Sequence, residues 1–122
     1  MVNVRYYDVA LWESHRILFR EESLRLNKII LDCLQKLEET PTDLDCIEKM
    51  VNTADIVIGD ARFLEDKNLE SNAKMLVQSF KGVKDIKERP NEFNLAKKRF
   101  RVLINKNDNV TLGSKTGTLL TT

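Results

Sequence analysis

Apolar residues recur along most of the chain at the spacing of an α-helix. In the first third they form one stripe, with members seven residues apart and others filling the turns between, at Trp12, Phe19, Leu26, Ile30, Cys33 and Leu37. Such spacing is typical of an amphipathic helix with one buried face. We therefore expect a first helix over about residues 8–38. The stripe weakens at the polar run 20–23, where a kink or a break remains open.

A second helix is expected over about 42–65. Thr40 is the expected N-cap and Pro41 the first helical residue, an arrangement common at helix starts. The inner face is centred on Ile47, Ala54 and Ala61. Apolar residues flank it on both sides, at Met50, Val57 and Leu64 and at Leu44, Val51 and Ile58. This arc is wider than one helix contact needs, so either both flanks pack or one flank docks a partner.

Two further helices complete the pattern, at about 68–88 and 91–104. Pro90 separates them, because proline disfavours helix in the residue before it. A small β-hairpin at 101–112 is the alternative for the end of the fourth helix. From 105 to 122 the sequence is polar and lacks periodicity, which indicates a flexible C-terminal tail. The predicted fold class is all-α, an antiparallel up-and-down four-helix bundle with that tail.

Composition narrows the class of protein. The 122 residues are 42% hydrophobic and 32% charged, which fits one domain with its own core. A net charge of +1 argues against extensive nucleic-acid binding. Residues 81–106, however, hold 9 Lys/Arg against 3 Asp/Glu, so a basic surface for a partner is an alternative to a solvated face. Neither a leader sequence nor a membrane span is apparent, so a cytoplasmic location is expected.

The chain offers few groups for catalysis. It has no glycine-rich phosphate loop and no CxxC pair, and His15 is its one histidine. The cysteines, Cys33 and Cys46, fall within helical patterns, and we expect them to be buried and reduced. We therefore predict a protein that is not an enzyme, with no catalytic residue, no metal and no cofactor.

Two stretches of the sequence resemble a known family. Leu34, Leu37, Glu38 and Pro41 fit a helix ending L-x-x-L-E-x-x-P, and the second helix then reads M-V-N-T-A-D-I-V-I-G-D-A-R-F-L over residues 50–64. Within it Ala54, Gly59, Ala61, Phe63 and Leu64 fall in place without a gap, and 69–76 is similar to the third helix. Together they resemble the histidine phosphotransfer (HPt) domain, in the form at the N-terminus of the chemotaxis kinase CheA.

The departures from that family concern its chemistry. The resemblance puts Asp55 at the position of the phosphorylated histidine and Ile58 at that of a lysine that steadies the phosphoryl charge. Gly59, which in the family leaves room for a partner's backbone, is kept. We therefore expect a pseudo-HPt module that binds a response-regulator receiver domain or a histidine kinase without carrying phosphate. Its predicted partner-binding residues are Val51, Asn52, Asp55, Ile58, Gly59 and Arg62. The alternative is that Val51 and Ile58 are core residues and Asp55 a boundary carboxylate.

Three other hypotheses remain. An unrelated helical bundle could act as an adaptor or a homodimer through the wide apolar arc of helix two. His15 could serve as an unconventional phosphoacceptor, although no flanking motif supports this beyond Glu13 and Arg16. The stretch 93–101, F-N-L-A-K-K-R-F-R, mixes basic and aromatic residues as some RNA-binding surfaces do, but we interpret it as a basic helix face.

Overall fold

The computed structural model describes the backbone of residues 2–121 and the side chains of residues 12–105. It contains four α-helices, α1 (Val2–Glu39), α2 (Leu44–Leu64), α3 (Lys67–Phe80) and α4 (Pro90–Thr121), and one 3₁₀ turn at Ile86–Glu88. The all-α prediction is confirmed. The hairpin alternative is wrong, because residues 101–104 continue α4 as helix. The predicted tail, beyond Asn105, lies outside the residues whose side chains are described.

The helices pack as an up-and-down bundle, as predicted. The helices α1 and α3 each lie against both α2 and α4. Aliphatic residues form most of the core, and Phe80 and Phe100 are its largest fully buried side chains. The first helix runs without a break through the polar run 20–23, and Ser23 and Asn27 on its inner face are buried.

The α1–α2 turn corrects the predicted capping residue. Asp43, not Thr40, is the N-cap of α2, and its carboxylate accepts the backbone N–H of Cys46 at 3.2 Å. Thr40 lies one turn earlier, where its carbonyl accepts the N–H of Asp43. Aspartate is at least as good a cap as threonine, so a capping residue is still present, three residues later than expected.

The end of α3 corrects a second expectation, since this helix stops at Phe80 rather than near residue 88. Gly82 adopts a φ of +79°, a left-handed conformation that turns the chain away from the helix axis. Pro90 does not end α3 but begins α4, where a missing N–H costs nothing. Between them the backbone N–H of Ile86 bonds the carbonyl of Pro41 at 3.0 Å, which ties this loop to the α1–α2 turn.

The opposite end of α2 is held by α1. An Nη of Arg16 donates to the carbonyl of Leu64 at 3.3 Å, and its guanidinium stacks 4.6 Å from the Trp12 ring. Phe63 contacts two rings of α1, Phe19 at 4.6 Å and Trp12 at 6.4 Å between centroids. This cluster fixes how α2 lies along α1.

Among the described residues, no helix is long and apolar enough to cross a membrane.

The two described glycines should respond oppositely to alanine. Gly59→Ala is expected to raise the free energy of unfolding by about 0.5–1 kcal/mol, because alanine favours a helix interior. Gly82→Ala should lower it by about 1–2 kcal/mol, because its φ of +79° strains any side chain. Urea unfolding of both variants tests this. Equal shifts of the same sign would show that the turn after α3 does not depend on its glycine.

Candidate functional site

The six residues predicted to bind a partner lie along one side of α2, which we call the α2 surface. Asn52, Asp55, Gly59 and Arg62 are all exposed to solvent. No atom lies within 4 Å of the position that a Cβ on Gly59 would take. The backbone of α2 is therefore open to close approach at this residue.

The other two members lie at the edge of that surface. Val51 is 7% exposed and belongs to the hydrophobic core, and Ile58 is half-buried and packs against it. The alternative in which both are core residues thus describes Val51 fully and Ile58 in part. The apolar group that the surface presents to solvent is instead Ile56, which is 51% exposed. Its position opposite the Ile47–Ala54–Ala61 inner face was readable from the helical period, but the resemblance drew attention to Ile58.

Arg62 is already engaged by α3. Its Nε lies 3.2 Å from Oε2 of Glu70, which also pairs with Lys74 at 2.7 Å. These two partners, Lys74 foremost, lower the pKa of the Glu70 carboxyl. Within residues 12–105 no ion pair involves Asp55. The α2 surface therefore presents one unpaired carboxylate beside an arginine held in place.

A surface groove runs along the same side of α2 toward its N-terminus. The groove has a volume of about 470 Å³, and Asp55, Asn52 and Val51 line its near end. Ile47, Val51 and Phe80 form its floor, and the turn 81–84 after α3 forms the opposite wall. The α2 surface and the groove are therefore continuous.

A polar cluster inside the bundle was not foreseen. Ser23 and Asn27 of α1 and Asp60 of α2 are all at least 96% buried, and the Ser23 hydroxyl, both Asn27 amide atoms and one Asp60 oxygen have no hydrogen-bond partner. Burial, and then the charge of nearby Glu22, together raise the pKa of the Asp60 carboxyl to about 6. In the sequence Ser23 only looked like part of the gap in the apolar stripe of the first helix.

The remaining candidate groups stay apart from the α2 surface. Cys33 is buried and Cys46 half-buried, both as free thiols, and burial raises the pKa of each. His15 is exposed in the first half of α1. No group of three potential metal ligands occurs within residues 12–105.

Comparisons with protein-family models, with curated proteins and with solved structures found no match for this chain. They identify no family. The structure itself shows a small all-helical protein of four α-helices.

Proposed function

We propose that this chain is a non-catalytic, HPt-like signalling module. It binds a response-regulator receiver domain or a histidine kinase in a cytoplasmic two-component pathway and carries no phosphate. The partner docks on the α2 surface, around Asp55 and Gly59. The observation that carries the proposal is the open backbone at Gly59, one helical turn after the exposed Asp55 and the exposed Ile56.

The physical features of this surface support docking rather than chemistry. Protein interfaces combine apolar and polar contacts, and the exposed Ile56 with the exposed Asn52, Asp55 and Arg62 offers both on the outer side of α2. A carboxylate at position 55 cannot become a phosphoimidazole, and Ile58 has no donor for a phosphoryl oxygen. The same helix can therefore keep the docking role without the transfer step.

One specific observation favours a second candidate, an adaptor or homodimer that associates through α1. Ile17 and Leu18 are 60% and 61% exposed, the largest exposed fractions among the large apolar side chains of residues 12–105. Burying such a pair would stabilise a complex by about 25 cal/mol per Å² of apolar area. Light scattering of wild type and Leu18→Glu distinguishes the two candidate functions. Only the second predicts that wild type is a dimer and that Leu18→Glu is a monomer.

The proposal is tested with Gly59→Arg in affinity capture from the native lysate. Arginine at this position points into open space and favours helix more than glycine does, so the fold is expected to remain intact. Its side chain would block close approach of a partner, and capture of a receiver protein should fall at least about tenfold, the equivalent of 1.4 kcal/mol.

Gln35→Arg is the matched control, because it adds the same charge on an exposed position of α1. It should capture the receiver as wild type does. If Gly59→Arg and Gln35→Arg capture the same proteins with unchanged circular dichroism, the α2 surface does not dock the partner and the proposal is wrong.

A further inference from the structure

The groove beside the α2 surface carries an inference about the shape and charge of the partner. We propose that it receives one amphipathic helix of the partner, with basic residues along one flank of its apolar stripe and acidic residues along the other. This inference rests on the proposed function, because it assigns the segment by which the partner would bind. It adds residues that the α2 surface does not include.

The groove has an apolar floor and two charged rims. Ile47, Val51 and Phe80 form the floor, and Leu44, itself 49% exposed, extends it toward the N-terminus of α2. Glu48 and Asp55 line the α2 side, whereas Lys81 and Lys84 line the opposite side. All four charged side chains are exposed.

These charges are not neutralised within the described residues. Among residues 12–105, none of the four lies within 4.0 Å of an opposite charge, so the two rims do not pair across the groove. A ligand that matches the groove therefore carries positive charge on the flank that faces the two carboxylates and negative charge on the flank that faces the two ammonium groups. A uniformly basic or uniformly acidic ligand would meet repulsion on one side.

The dimensions and backbone of the groove favour a helix over an extended peptide. From Leu44 to Asp55 its α2 wall is about 16 Å long, which is the length of about three helical turns. A peptide that binds by β-strand addition needs main-chain partners at a strand edge, and residues 2–121 contain no strand. A helix satisfies its own backbone and presents an apolar stripe, and the groove volume of about 470 Å³ accommodates several aliphatic side chains.

The turn that forms the basic rim is built to stay in place. Gly82, at a φ of +79°, reverses the chain between the two lysines. The N–H of Val83 bonds the carbonyl of Phe80 at 3.1 Å, and the loop is tied to the α1–α2 turn through Ile86. A rim held by backbone contacts keeps the spacing of its charges before any partner binds, which lowers the entropic cost of binding.

Three helix-stabilised, fluorescent peptides of about 14 residues test the inference by fluorescence anisotropy. They share one leucine stripe and differ only in its flanks, with lysine on one side and glutamate on the other, lysine on both, or glutamate on both. Wild type should bind the mixed peptide about tenfold more tightly than either uniform one, since one rim repels each uniform peptide. This preference should shrink in 1 M NaCl.

Reversing one rim at a time should change the order of the three peptides. Lys81→Glu with Lys84→Glu makes both rims acidic, so the all-lysine peptide should become the tightest ligand. Glu48→Lys with Asp55→Lys makes both rims basic and should select the all-glutamate peptide, which also provides a second test if the first variant unfolds. The inference is overturned if no peptide binds or if both variants keep the wild-type order of the three peptides. It is also overturned if peptide binding weakens as the protein concentration rises, because a second copy of this chain then occupies the groove.

The two proposals can fail separately. Gly59 does not line the groove, so Gly59→Arg should leave the peptide order unchanged while capture of the receiver is lost. Capture lost from Gly59→Arg with no peptide bound by wild type would overturn only the helix inference. Ordered peptide binding with capture unaffected by Gly59→Arg would overturn the docking role of the α2 surface.

Discussion

Asp60→Asn should stabilise the protein by about 3 kcal/mol at pH 8 and by almost nothing at pH 3. Asp60 is 4% exposed, and burial followed by the charge of Glu22 raises its carboxyl pKa from 3.8 to about 6. The folded protein therefore holds this proton more tightly than the unfolded chain does. The resulting stability is complete below pH 3.8 and is lost as the pH rises through about 6.

Urea unfolding of wild type and Asp60→Asn between pH 3 and pH 8 measures this difference. Asparagine imitates the protonated carboxyl, so the two curves should coincide in acid and separate as the pH rises. Asp55→Asn is the matched control, since Asp55 is exposed on the same helix and its replacement should change stability by less than about 0.5 kcal/mol. If Asp60→Asn is less stable than wild type at pH 8, the buried carboxylate is stabilised by a donor and this account of the cluster is incorrect.

Phe80→Ala should lower the free energy of unfolding by about 3–5 kcal/mol. Phe80 is fully buried at the end of α3 and lines both the groove against α2 and the small cleft against α4. Its ring therefore joins three helices at one point. Alanine would leave a cavity at this position, so the cavity term adds to the transfer term.

Chemical unfolding compares this variant with Leu95→Ala. Leu95 lines the same cleft but is 41% exposed, so its loss should cost less than about 1 kcal/mol. Where Phe80→Ala is unfolded outright, Phe80→Leu provides the measurement, with an expected cost of about 1–1.5 kcal/mol. Equal costs for Phe80→Ala and Leu95→Ala would mean that the core is not organised around Phe80.

The sequence predicted the helices well because their signal is redundant. The core face of α2 repeats at the helical period through Ile47, Ala54 and Ala61, and all three are buried. The ends were harder to predict, because two signals competed at each. Pro90 predicted the end of α3 near residue 88. The chain turns at Gly82 instead, and a glycine, which has no side chain, does not alter the apolar pattern.

The site was predictable in part for a similar reason. Exposure of Asn52, Asp55 and Gly59 follows from their phase on α2, whereas contributions from α3 depend on tertiary packing. Glu70 next to Arg62, and the lysines opposite Asp55, come from segments whose spatial relation to α2 the sequence does not reveal. Asp60 was missed because one polar residue beside a glycine resembles a solvated position until the neighbouring helix is in place.

The central claim, that the α2 surface docks a signalling partner, is tested most directly by photocrosslinking in the native lysate. A photoreactive amino acid is placed at Asn52 in one variant and at Lys98, on the exposed basic side of α4, in another. The account predicts that position 52 becomes linked to a receiver-domain protein or a histidine kinase and that position 98 does not. Crosslinks to a signalling partner from position 98 alone, or from position 52 only to a second copy of this chain, would contradict it.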